Sequence, residues 1–276
     1  MSEMLWPSSP RLLAVQVRHQ VRMFWRVPAA VFFTLALPVV ILVVFNAVFG
    51  DGTVASADGE WPTRQFYTGA LAAFTAVSAT YTNLANMLPI RREEGVLTRW
   101  RSTPLPVWIY LAGHVIAAMV IALAGAVMML ALGVVAYGVT ITPAAIPAAV
   151  FTFAVSVLCF AAMGTAVASV VPTASAASSV ANATILPLAF VSNVFIPLDD
   201  PPRWLDAVGD VFPLKPFVES FQASFHPTTA DTVPEWSALA VVATWGCVGA
   251  VVALRRFRWD TPVGGSTRRR RRQRST

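Results

Sequence analysis

Few residues in this chain could do chemistry, and the charged ones that draw the eye stand in one place. The 276 residues include 14 acidic side chains, three histidines, two cysteines and a single lysine, Lys215. Lys215 sits in FPLKPF, with proline after it. A phosphate-cradling loop needs glycine-rich backbone and a lysine followed by serine or threonine, so this lysine does not build one. The VGGST run from Val263 lacks the lysine and has no strand before it. Cys159 and Cys247 both fall in apolar runs and read as small buried hydrophobes, without disulfide or metal spacing. No nucleophile stands with a base and an orienting group. The sequence therefore predicts no catalytic, cofactor-binding or metal-binding residue in this chain.

What remains is RREEGVLTRWRSTPLP, Arg91 to Pro106, with six charges and two prolines in sixteen residues. Glu93 and Glu94 lie just ahead of Arg99 and Arg101, so the acids favour the N-terminus of a short helix and the arginines its C-terminus. Pro104 and Pro106 stop that helix and turn the chain. A loop that only sets topology needs the arginines. It has no use for the acids, for Gly95 or for the proline stop. The pattern predicts a short charged helix held as a handle for a partner.

The elements that must hold this handle are apolar. Hydrophobic residues make up 56% of the chain and charged ones 12%, against about 25% charged in soluble domains. That places the chain among integral membrane proteins. Six runs approach the roughly 20 residues that cross a bilayer, near 28–49, 66–88, 108–136, 144–170, 175–195 and 237–254. Residues 11–26 read as an amphipathic helix lying in the membrane interface, with Arg11, Arg18, Arg22 and Arg26 opposite Leu13, Val17, Val21 and Phe24. The expected organisation is a segment 1–27 with that helix, a six-span all-α domain 28–254, and a basic tail 255–276. A cleavable signal peptide is not expected, because the first apolar run begins late and is too long.

Seventeen of the twenty Lys and Arg residues fall on the side of both termini and the charged stretch. Arg64, Arg203 and Lys215 fall on the other side, with most of the acids. The positive-inside bias puts both termini and residues 91–106 in the cytoplasm. His114 is the ionisable residue nearest to a span interior, and it reads as interfacial. Uncharged spans weigh against an ion-coupled carrier. The tail arginines, Arg268 to Arg272 and Arg274, suit anionic lipid, and nucleic acid is not an expected partner.

The second and fifth spans are more polar than the rest. Thr75, Ser78, Thr82 and Asn86 share one expected face; Ser175, Ser178, Ser179, Asn182 and Asn193 share another. Such stripes either pack helices closely or line a substrate path or subunit seam. The turn VPTAS joins spans four and five, with Ser175 as its expected helix cap. Residues 50–65 read as a short loop. Residues 196–236 are too apolar for a solvated linker and read as two short helices, about 202–209 and 214–224, dipping into the far interface.

The charged stretch resembles the loop between the second and third spans of ABC-2-type transporter permeases, where a REEG-hydrophobic-basic-TPLP pattern forms a coupling helix. SNVFIPLDDPPRWLDAVGDVFPLKPF, Ser192 to Phe217, is similar to the family's outer segment, through Phe195, Pro197, Trp204, Leu205 and Phe212 to Leu214. Trp100, where a smaller aliphatic is common, and the pair Asp199 and Asp200 depart from the pattern. The resemblance implies a permease subunit of an ATP-driven exporter in a bacterial plasma membrane, of the drug- or antibiotic-efflux-like branch. It implies an ABC ATPase subunit as partner, which would hold the ATP and Mg, and a second permease subunit. It assigns ATPase coupling to Arg92, Glu93, Glu94, Gly95, Thr98, Arg99, Arg101 and Pro104. The apolar path walls favour a hydrophobic or amphipathic cargo over a sugar polymer. A secondary carrier and a non-transporting scaffold remain the alternatives.

Overall fold

The computed structural model describes residues 8–56, 59–96, 106–197, 202–226 and 230–256. Among these, five helices are long and apolar enough to cross a membrane: Pro28–Phe49 (α2), Trp108–Tyr137 within α4 (Val107–Tyr137), Pro143–Val170, whose α-helical part is α5 (Ile146–Val170), Ala174–Val191 (α6) and Trp236–Arg256 (α9). These follow the expected runs closely. The span expected near 66–88 lies in a longer helix, α3, which runs unbroken through Thr63–Val77, a π turn Ser78–Thr82, and Asn83–Glu93. The architecture is that of an all-α integral membrane protein.

α3 is the polar helix, packed against α2, α4, α5, α6 and the helix Leu214–Ala223. From Thr63 to Val77 every residue but Arg64 is buried. Hydrocarbon cannot satisfy hydroxyls and amides, so a helix of this composition is stable in a bilayer only when protein covers it. Thr75 and Thr80 each donate back to a carbonyl one turn earlier, at 2.7 Å. α4 lies close against α3 because Gly125 and Gly133 leave room for Thr75 and Thr68. Gly138, at φ 66°, then ends α4 in the left-handed conformation that glycine adopts without strain. α5 and α9 meet through Gly246, over Cys159, and Gly249, over the backbone of Met163. α2 presents Phe33 and Val48 outward, as a lipid-facing helix does. Its π turn Phe32–Ala36 falls just before Pro38, whose ring and missing N–H disrupt the regular ladder.

α1 (Ser9–Trp25) keeps Arg11, Arg18 and Arg22 exposed and lays its other face on α4. Gln16 fits over Gly113, where a Cβ would lie 2.4 Å from its Cγ. The helix is therefore seated on protein, with its arginine face exposed. It also covers His114, only 5% exposed, whose Nδ1 meets the Tyr110 carbonyl at 2.9 Å.

Residues 50–65 are not a plain loop. They fold into an antiparallel hairpin, β1 (Thr53–Ser56) with β2 (Gly59–Pro62), pairing Val54 with Trp61. Both side chains are buried, and Trp61 packs edge-on against His226, centroids 4.5 Å apart. Alternation over two four-residue strands is too brief to stand out among turn formers, which is why the strands were not legible.

The two short helices expected after span five are present as α7 (Arg203–Val211) and α8 (Leu214–Ala223). α7 is a surface helix with Trp204 and Val211 exposed. α8 is buried among α3, α5 and α9, and its Phe217 and Phe221 pack with Phe153 and Phe160. Gln65 on α3 donates to the Thr140 carbonyl at 2.9 Å and to the Phe225 carbonyl. Gln222 donates to the Phe66 carbonyl at 3.0 Å. These bonds fix this end of α3 to α8 and to the turn after α4.

The close crossing of α5 over α3 gives a direct test. A Cβ at Gly164 would lie 2.5 Å from the Tyr81 carbonyl oxygen, and backbone cannot rotate away. Gly164→Ala should cost about 1–3 kcal/mol by overpacking, read as a lower melting temperature in detergent. Gly69→Ala, whose nearest neighbour is Gln222 Cγ at 3.1 Å, should cost less. Equal melting temperatures for the two variants would show that α3 and α5 do not depend on this approach.

Candidate functional site

The charged stretch begins on the last turn of α3. Arg92 is 5% exposed, unusual for an arginine, and Glu93 and Glu94 lie at the surface. Arg92 Nη2 donates to the Val171 carbonyl at 2.6 Å and to the Pro172 carbonyl at 3.3 Å. Glu93 Oε1 accepts from the Ala174 amide at 2.7 Å. Glu94 donates its amide to Ile90, and Gly95, at φ 69°, donates to Arg92. A left-handed residue is needed there to leave the helix, and glycine supplies it without strain. Thr98, Arg99, Arg101 and Pro104 lie outside the described residues, as does the rest of the expected coupling helix.

The turn that Arg92 and Glu93 reach is the one between α5 and α6. Its helix cap is Thr173, whose Oγ1 accepts from the Ala176 amide at 3.3 Å. The expected cap, Ser175, is already inside α6. The reason is Pro172: it cannot continue α5, so the chain turns at once and the next hydroxyl, Thr173, takes the capping position.

The two polar faces differ in surroundings. On α3, Thr75 is fully buried against α4, and Ser78, Thr82 and Asn86 are half-buried. Asn86 Oδ1 is buried without a hydrogen-bond partner. On α6, Ser178 is half-buried, while Ser175, Ser179 and Asn182 are exposed on the single chain. Asn193 does not share their face. α6 ends at Val191, and Asn193 follows in a left-handed conformation at φ 55°. A helical wheel extended too far had grouped them. The helices themselves pack together, and Tyr81 Oη lies 2.7 Å from Thr184 Oγ1 between them. Neither residue falls among the polar faces read from the sequence, and the pair joins positions 103 apart.

Beside that pair lies an apolar cavity of about 250 Å³ between α5, α6 and α9, walled by Phe160, Met163, Leu188, Trp245 and Val248. Its roof is Phe212, stacked on Trp245, whose Nε1 donates to the Val211 carbonyl at 2.8 Å. A wider space of about 720 Å³ lies near the hairpin, between the end of α2, Tyr67 and Phe195.

At the same end of the molecule, charges gather around α8. Lys215 Nζ pairs with Asp210 at 2.6 Å and with Asp206, which tie α7 to α8. Its stem lies over Gly209, where a Cβ would not fit. Glu219 accepts from Asn193 Nδ2 at 2.9 Å, which holds the residue after α6 onto α8. Burial pushes the Glu219 carboxyl up to about 7, although Lys215 and Asn193 pull it down.

Helices long and apolar enough for a bilayer, packed with one polar helix that ends in a charged stretch, make up a polytopic membrane domain. Residues 11–226 match the ABC-2 type transporter family. The chain belongs to that family. No curated protein matches the chain closely enough to count as a relative.

Glu219 gives this end of the molecule a pH dependence. The folded state holds its proton more tightly than the unfolded chain does, so its contribution to stability is complete below about 4.5 and is lost as pH rises through about 7. The parent protein should melt lower at pH 8 than at pH 5.5, and Glu219→Gln should shrink that difference. An unchanged difference would remove Glu219 as its source.

Proposed function

We propose that this chain is the permease subunit of an ATP-driven exporter, working with a separate ABC ATPase and a second permease subunit. Membership in the ABC-2 family supports the ATPase partnership. The observation that carries the assembly is the face of α6. Ser175, Ser179 and Asn182 are exposed on a helix long and apolar enough to cross a membrane. An amide stranded in hydrocarbon costs several kcal/mol, so in the bilayer this face lies against a second subunit or a wet path. Ser178 and the α3 residues Ser78, Thr82 and Asn86 belong to the same reading.

The side of α1 and Arg92 is cytoplasmic in this reading, and the hairpin, α7 and α8 are outside. Most of the positive charge is on the first side. Glu94, exposed at the end of α3, faces the ATPase. Thr98, Arg99, Arg101 and Pro104 extend that contact by family resemblance. The cargo is hydrophobic or amphipathic, consistent with the apolar cavity beside Tyr81 and Thr184.

The test is co-expression with a candidate ABC ATPase, in inside-out vesicles. ATP-dependent uptake of a hydrophobic cationic dye is the expected result. Asn182→Leu should leave membrane abundance intact and lower uptake at least several-fold or change which dye is taken up. Glu94→Lys should weaken ATPase co-purification. Uptake without the ATPase, driven by an ion gradient, would establish a carrier instead. Absence of any uptake, with the ATPase bound, would favour a scaffold. In a cysteine-free background, Asp51→Cys should label from outside intact cells and Arg11→Cys should not.

A further inference from the structure

We propose that Arg92 and Glu93 form a joint that fastens the end of α3 to the turn between α5 and α6, rather than part of the surface that meets the ATPase. The proposal rests on the exporter reading for its mechanical consequence, though the joint itself is independent of it.

The turn has three residues, Val171 to Thr173, so the last carbonyls of α5 and the first amides of α6 lie close together. A helix end leaves such groups unpaired and carries partial charge, negative at the C-terminus and positive at the N-terminus. Neighbouring residues of α3 answer both. Arg92, a cation, sits on the carbonyl of Val171, the C-cap of α5, and on that of Pro172 in the turn. Glu93, an anion, takes the Ala174 amide at the start of α6. Thr173 serves the Ala176 amide, so the turn's own cap and the borrowed one use different donors.

The order Arg-Glu matters. Reversed, each charge would meet the helix end of its own sign. Arg92 is also too buried to reach a partner protein without leaving its two carbonyls, and its Nε is already enclosed. Behind the joint, Leu88 of α3, Tyr110 of α4 and Ala168 of α5 form a small apolar cluster that keeps the end of α3 in place. Glu94, one residue further on, is exposed and lies where the chain departs at Gly95.

The stretch RREE therefore holds two roles. Its middle pair, Arg92 and Glu93, is an internal fastening, and Glu94 is available to a partner. A push delivered beyond Glu94 reaches the α5–α6 turn without crossing the bilayer. From there it enters α6, the helix with the exposed Ser179 and Asn182.

Hydrogen exchange of the intact protein in lipid nanodiscs, with no ATPase present, tests the joint. Glu93→Ala should speed exchange of the Ala174 amide roughly tenfold, the size expected for a lost helix cap. Glu94→Ala should leave it at the parent rate. Parent-like exchange in Glu93→Ala would overturn the proposal. The paired change Arg92→Glu with Glu93→Arg should speed exchange further, by placing like signs together. With the ATPase identified by co-purification added, this pair should keep co-purification and lose ATP-dependent dye uptake. Lost co-purification with that amide still protected would mean that Arg92 and Glu93 are docking residues, and would also overturn it. If the parent complex takes up no dye, the exporter reading falls, while the exchange result still decides the joint.

Discussion

A bilayer interior has no water to offer a stranded hydrogen bond, and α3 brings Gln65, Thr68, Thr75, Thr80, Asn83 and Asn86 along one helix. The rest of the fold follows from covering it. α4 approaches on glycines, α5 crosses at Gly164 against the backbone of Tyr81, and α8 is drawn inward until Gln222 reaches the Phe66 carbonyl. The exposed apolar residues then belong to helices such as α2, for which hydrocarbon is a good solvent. The usual rule of hydrophobic inside and polar outside is partly inverted here, because the medium is inverted.

That inversion explains what the sequence made legible. Long apolar runs announce themselves, so α2, α4, α5, α6 and α9 are found within a few residues of their expected bounds. The amphipathic period of α1 and the proline breaks around α7 and α8 are local signals too. The family pattern in the charged stretch is likewise contiguous. The hairpin is local but brief, and two buried side chains, Val54 and Trp61, are a weak period.

The relations between elements were not legible. Arg92 and Glu93 read as a charged surface, yet their partners lie 79 to 81 residues away. Asn193 read as the continuation of a helical stripe, but the chain leaves the helix before it and turns the amide to Glu219. Gln16 and His114 are polar residues that seem misplaced until α1 and α4 are brought together, one over a glycine and the other under a lid. In each case the residue type was informative and the partner was set by tertiary packing. The same holds for Lys215. The only lysine in the chain anchors α7 to α8 through two aspartates.

The π turn Ser78–Thr82 sits midway along a helix that is fastened at both extremities: by Gln65 and Gln222 at one, by Arg92 and Glu93 at the other. A rod so held cannot slide. A π turn, however, stores one residue beyond the α-helical count. Passing that slack along by one position rotates the intervening residue by about 100° while both ends stay where they are. Torsion within α3, rather than translation of it, is the motion that this anchoring leaves open.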